Sequence, residues 1–311
     1  MDRAWLIEKA AKCFGKTRQR DLDASANGNL SSVYSVSYTV IACSDLFRET
    51  EDDTYGDYIK DICKNWKQHL PTPVLGESNE SDALKGCMAM AHACKCLITG
   101  RSTGQVGQIM KTLEEWLGVF IPARIPAYQN FGNYDKVSRS LYGARTLNQL
   151  GRPGWEAYEQ ELDAIVNKAT HHWPFGWYNY GARDVEHKAD NVHLFVENSQ
   201  HLDYLPDYFN EWIVKDAATL QINTWPGIYG PEFGVPWDEH KKKSIVAHGW
   251  PKLAKHNEET RAFFEELITE AMYQLEHQAE PRPRNIGRHR DWRQALTMIA
   301  GMLPAWPEGV E

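Results

Sequence analysis

Three observations predict an all-α fold of alternating inner and outer helices. Apolar residues recur at a period near 3.6, alternation at a period of two is nearly missing, and Gly or Pro stands near most of the breaks. The first helix reads from Asp2 to Phe14. A small-residue-rich helix from Ser31 to Phe47 and a charged one from Asp53 to Leu70 follow. After the connection Pro71 to Ser78 the pair returns, apolar nearly all round from Asp82 to Ile98 and amphipathic from Gln105 to Phe120. It returns again as Val137 to Leu150 and Trp155 to His172, then as Asp190 to Leu205 and Asp207 to Ile222. Glu239 to Ala254, Glu258 to His277 and Arg290 to Leu303 complete about twelve helices. A helix surrounded by helices must be apolar or small on most sides, whereas an outer one needs only an inward stripe. Hairpins closing on themselves satisfy both demands, with the helices beginning near Ser31, Asp82, Val137 and Asp190 nearest the axis.

Composition bounds the function. With 311 residues, 42% of them hydrophobic and 24% charged, the chain buries a core and folds without a partner, and it reads as a single catalytic domain over 1–311. A net charge of -8 argues against a general nucleic-acid binder, whose affinity comes from clustered cations. Glu8, Lys9 and Lys12 interrupt the first apolar residues, so no signal peptide is read, and no apolar run spans a bilayer. The expectation is a soluble, cytoplasmic protein with no membrane partner. Cys13, Cys43, Cys63, Cys87, Cys94 and Cys96 lie mostly in helical, apolar stretches and read as buried free thiols. His92 and Cys96 share a spacing that a metal or haem can use, although Ala89, Met90 and Ala93 around them read as tight helix packing.

Two stretches carry a resemblance. SLYGARTLNQLGRPGWEAYEQELDAIVNKA, Ser140 to Ala169, and AHACKCLITGRSTGQVGQIMKTLEEWL, Ala91 to Leu117, each join an inner-type helix to an amphipathic outer one, with a Gly at the inner helix's end. In this rhythm the chain resembles the (α/α) toroid superfamily of six-hairpin enzymes, which includes glycosidases, polysaccharide lyases, sugar epimerases and class II terpene cyclases. The resemblance implies a toroid or barrel-like fold around a cleft. An irregular bundle of the class I terpene synthase kind is the rival architecture.

Candidate chemistry is densest from His171 to Leu205, which holds five of the twelve histidines. Asp190, His193, Glu197, His201 and Tyr204 follow at three- and four-residue steps, which would align them on one helix face. Such a face is either a solvated stripe of intrahelical pairs or an acid–base surface. The inner-type place in the rhythm favours the second, with Asp190, His193, Glu197, His201 and Tyr178 as catalytic candidates. The HEXXH and CxxC spacings are missing, so no metal ligands are assigned. Trp173, Phe175, Trp177, Tyr178 and Tyr180, with Asn179, form an aromatic loop suited to sugar faces, to a carbocation or to plain plugging of the core. Trp225, Tyr229, Phe233 and Trp237 form a second, alongside Glu232, Asp238 and Glu239. Arg282, Arg284, Arg288, Arg290 and Arg293 suit either an anionic ligand or salt bridges, and Arg288 and Arg290 near a helix start are the substrate-binding candidates.

Two acidic stretches remain. Asp21, Asp23 and Asn27 are placed in a loop that offers acid to the cleft. Asp52, Asp53 and Asp57 resemble the metal and acid motifs of terpene cyclases, but Asp57 is one position out and Thr50 stands where the acid motif begins with Asp. Helix capping is the favoured role for Asp52 and Asp53.

The leading expectation is an enzyme acting on an acidic sugar or polysaccharide by hydrolysis or β-elimination in an aromatic-lined cleft. An atypical terpene cyclase holding a prenyl diphosphate through Mg²⁺ is the alternative, although only the ends of NEETRAFFE, Asn257 to Glu265, match the second metal motif of that class. No cofactor is firmly implied otherwise. A non-catalytic helical receptor is a third reading.

Overall fold

The structure is a computed structural model and describes residues 1–70, 72–73, 80–98, 103–128, 134–170, 182–210, 248–277 and 286–305. Among these the fold is all-helical, without a strand. The helices are α1 (Arg3–Ala26), α2 (Leu30–Thr50), α3 (Asp53–His69), α4 (Glu80–Ile98), α5 (Thr103–Tyr128), α6 (Tyr134–Gln149), α7 (Glu156–Thr170), α8 (Ala182–Glu197), the single turn α9 (Leu205–Tyr208), α10 (Glu258–His277) and α11 (Ile286–Met302). Two 3-10 turns, Pro251–Lys255 and Leu303–Ala305, join them. No helix among the described residues is long and apolar enough to cross a membrane. The chain divides into two compact units, residues 18–175 and residues 1–17 with 176–311.

In the unit of residues 18–175, α4 packs against both α2 and α6, while α3, α5 and α7 follow one another along a second layer. Tyr34, Lys85 and Arg139 meet at one level and Asp45, His92 and Tyr142 at the next, so α2, α4 and α6 run parallel. Trp66 of α3 stacks on Trp116 of α5 at 6.4 Å in the second layer. Close approach needs small residues: a Cβ on Gly86 would stand 2.6 Å from Val33, and one on Gly143 would stand 2.5 Å from Leu117. Helix ends follow local chemistry. Asn29 and Asp52 cap α2 and α3 by accepting from the Ser31 and Thr54 amides, so Asp52 has the capping role expected of it. At the end of α6 Gly151 takes φ 73°, while its amide reaches the Asn148 carbonyl and that of Arg152 the Leu147 carbonyl, which is a Schellman ending.

Two helices run far past the ends read from the sequence. Instead of stopping at Phe14, α1 continues to Ala26, because one interior glycine costs only about 1 kcal/mol and no further Gly or Pro follows before Gly28. Asp21 and Asp23 consequently lie in a helix and not in a loop. The Asp21 carboxylate is buried, accepting from Thr39 Oγ1 and from the Tyr58 hydroxyl. Helix α5 runs through Pro122 and Pro126 to Tyr128, held by the buried Ile121 and Ile125.

The other unit gathers α10, α11 and the Pro251–Lys255 turn, with α8 and α9 against that turn. Phe209 packs against Trp250 and stacks on Phe264. Lys9 and Lys12 both donate to Glu276, at 2.9 and 2.8 Å. Helix α8 ends at Glu197, short of the expected Leu205. Ser199 takes φ 53°, with bonds from its own amide to the Val196 carbonyl and from the Gln200 amide to the Phe195 carbonyl. This is a second Schellman ending, built on a serine where glycine is the usual signal. Gly249 lies so close to α8 that a Cβ there would overlap the Ala189 carbonyl oxygen at 1.9 Å.

Two outcomes follow from this packing. Gly249→Ala should cost about 3 kcal/mol, as overpacking against backbone does. Gly118→Ala, whose Cβ meets nothing within 4 Å, should be neutral or stabilising by up to about 1 kcal/mol, and urea titration separates the two. The second outcome concerns acid. Partial burial alone would raise the Glu276 pKa, but the hydrogen bonds from Lys12 and Lys9 outweigh it and leave the carboxylate depressed. Its stabilisation is thus present above the ordinary carboxylate pKa and lost as pH falls through the depressed value. The melting-temperature difference between the wild-type chain and Glu276→Gln should be full at neutral pH and vanish at strongly acidic pH.

Candidate functional site

Helical spacing puts Tyr34, Tyr38 and Asp45 along one face of α2, and Lys85, His92 and Cys96 along one face of α4. Arg139 and Tyr142, one turn apart, complete the set from α6. Asp45, Lys85, His92, Cys96, Arg139 and Tyr142 are all buried. Polar groups in such a place persist only when hydrogen-bonded or paired.

His92 is the centre of this arrangement. Its Nε2 lies 2.8 Å from Asp45 Oδ1 and its Nδ1 lies 2.8 Å from the Tyr142 hydroxyl. Arg48 donates to the same Asp45 oxygen at 2.8 Å, which favours the carboxylate form. A carboxylate only accepts, so His92 donates to Asp45 through Nε2, and in the neutral tautomer that this implies Nδ1 accepts from the Tyr142 hydroxyl. The result is a directed chain from Tyr142 through His92 to Asp45. Cys96 Sγ stands 3.7 Å from His92 Nε2, one helical turn along α4. At the neighbouring level the Lys85 ammonium lies 4.5 Å from the Tyr38 ring centroid and 5.5 Å from that of Tyr34. The Arg139 guanidinium lies 5.6 Å from the Tyr34 centroid, pairs with Asp135 at 3.0 Å and donates to Ser81 Oγ at 2.8 Å. Two buried cations therefore stand at the level next to the relay, and the half-buried Lys95 ammonium lies 5.3 Å from the Tyr142 ring centroid.

All six are free and buried, as expected of packing thiols. Burial pushes Cys63 up to about 12 and also raises Cys13, Cys43, Cys87 and Cys94, which makes these poor nucleophiles.

The sequence-derived acid–base face is only partly one surface. Asp190, His193 and Glu197 do lie on α8. Asp190 and His193 are fully buried, with His248 Nε2 3.1 Å from Asp190 Oδ1 and the His193 and His248 rings edge to face at 4.9 Å. Glu197 accepts from Lys252 at 2.6 Å, a pair also withdrawn from water. His201 is not on that face: it lies past the helix end, at φ 57°, with its ring against Phe195 and Tyr204. Tyr204 is off the helix too, its hydroxyl pushed up to about 12 by burial and by Asp203. Tyr178, Trp173, Trp177, Asn179, Tyr180, Trp225, Tyr229 and Trp237 lie outside the described residues. Arg288 and Arg290 fall in the first two turns of α11.

The acidic fragments that resemble terpene-cyclase motifs have structural roles. Asp52 and Asp53 open α3. Asn257 caps α10, its Oδ1 accepting from the Thr260 amide at 3.0 Å and from Asn210 at 3.1 Å. A groove of about 710 Å³ on the second helical layer is lined by Asp57, Lys60, Lys64, Lys67, Gln108 and Thr112, a mixture of both charges. In comparisons with family models, with curated proteins and with solved structures, nothing matches this chain.

One stability outcome tests the α8 assignment. Because Glu197 and Lys252 are buried together, Glu197→Ala should cost about 3–5 kcal/mol by stranding the ammonium. The double variant Glu197→Leu with Lys252→Met should lose less than that single change, as read from chemical denaturation.

Proposed function

We propose that this chain is an enzyme acting on an acidic sugar or polysaccharide by β-elimination, and that its α2, α4 and α6 are the inner helices of an (α/α) toroid. The observation that carries the reading is the Tyr142–His92–Asp45 relay, with both ring nitrogens engaged at 2.8 Å. In such a relay the imidazole is placed to accept the phenol's proton. His92 takes the Tyr142 proton, and Asp45 stabilises the imidazolium that forms. The Tyr142 phenolate then removes the proton α to the substrate carboxylate, and the half-buried Lys95, its ammonium 5.3 Å from the Tyr142 ring centroid, is a cation placed to stabilise the developing enolate. As the C4–O bond breaks, its electrons leave with the oxygen, the C4–C5 double bond forms, and Tyr142 returns the proton to the departing alcohol. The relay supports elimination over hydrolysis, which needs two carboxylates facing one bond.

A second reading keeps the acid–base work on α8, and the Asp190–His248–His193 cluster favours it. Uronate-containing polysaccharides, scored by ultraviolet absorbance of the unsaturated product, provide the assay. Tyr142→Phe should lower turnover by about a hundredfold or more, well beyond the loss of about 1–3 kcal/mol in stability that stranding His92 Nδ1 brings. Near-normal turnover in Tyr142→Phe together with loss in His193→Gln would move the chemistry to α8, and the absence of an unsaturated product across the panel would overturn the elimination reading.

A further inference from the structure

We infer that Asp45, His92 and Cys96 form a binding site for a zinc-class divalent cation. The three side chains each offer one ligand atom, all three atoms lie within 4.8 Å of one another, and all three residues are buried. They represent the carboxylate, imidazole and thiolate that a tetrahedral zinc accepts, and the nitrogen and sulfur disfavour calcium or magnesium. Zinc sits about 2.0–2.3 Å from such donors, which sets neighbouring donors about 3.3–3.7 Å apart. The His92 Nε2 to Cys96 Sγ separation of 3.7 Å already fits. The 2.8 Å from Nε2 to Asp45 Oδ1 is a hydrogen-bond length and must open by about half an ångström when the ion replaces the shared proton.

Rigid elements hold the set. His92 and Cys96 are one turn apart on α4, and Asp45 comes from the adjacent α2. Tyr142 at Nδ1 supplies the outer hydrogen bond that orients a metal-bound imidazole. Arg48, whose side chain is 32% exposed, donates to Asp45 Oδ1, and that bond must move to the other carboxylate oxygen when an ion takes its place.

The protons balance. Binding releases the Cys96 thiol proton to solvent and moves the imidazole proton from Nε2 to Nδ1, where it donates to the Tyr142 oxygen. Zinc therefore reverses the His92–Tyr142 hydrogen bond and removes the acceptor that the proposed relay uses. The site itself does not rest on the elimination reading, because its test is metal binding and not turnover.

The experiment uses the full chain, stripped with a chelator under reducing conditions and titrated with Zn²⁺ against a chromophoric competitor, then with Co²⁺ for spectroscopy. One ion per chain and a Co²⁺–thiolate charge-transfer band are expected. His92→Ala and Cys96→Ser should each weaken binding by about a hundredfold or more, and Tyr142→Phe by about tenfold. Cys43→Ser, which removes a buried thiol elsewhere, should leave it unchanged. A wild-type chain with no charge-transfer band overturns the site whatever the variants do, as does tight binding retained in both His92→Ala and Cys96→Ser.

Discussion

Helix α4 packs closely among α2, α5 and α6 because Gly86 presents no Cβ to Val33 and Trp116, and because Ala83, Ala89, Ala91 and Ala93 keep its surface thin. Burial on nearly every side then applies to its polar residues as well. Lys85 and His92 have no access to water, so desolvation would penalise them by several kcal/mol each without partners. The neighbours that α4 admits are the ones that supply those partners: tyrosine rings for Lys85, and Asp45 and Tyr142 for His92. Close packing and the polar cluster are one constraint seen from two sides.

That constraint also explains why the cluster suits chemistry. Three parallel helices fix three functional groups with little freedom, and the tautomer of His92 follows from which neighbour can only accept. Groups carried on packed helices are held more precisely than groups on loops. The Asp190–His193–His248 cluster has a different basis, since its histidine at 248 is placed by a backbone segment pressed against α8 at Gly249.

Local signals were enough for much of the fold. Period and breaks placed α2, α3, α4, α6, α7 and α10 close to where they lie, because each presents an uninterrupted apolar pattern bounded by a cap or a break. Misplaced ends have physical causes: α1 passes Gly15 because one glycine is a small cost, and α8 stops early because Ser199 accepts a left-handed conformation that sequence alone assigns to glycine.

By itself the sequence determined the helical class, the alternation of small and amphipathic helices, the capping by Asp52 and the pairing of His92 with Cys96 on one helical face. Those properties depend on neighbours within a few residues. Only the tertiary structure decided what His92 meets, since Asp45 lies 47 residues before it and Tyr142 lies 50 residues after it. It decided equally that His201 leaves the face of Asp190, His193 and Glu197, and that Glu197 is matched to Lys252. A side chain's partner across helices is set by which surfaces pack together, and that is a property of the assembled layers and not of any single stretch of chain.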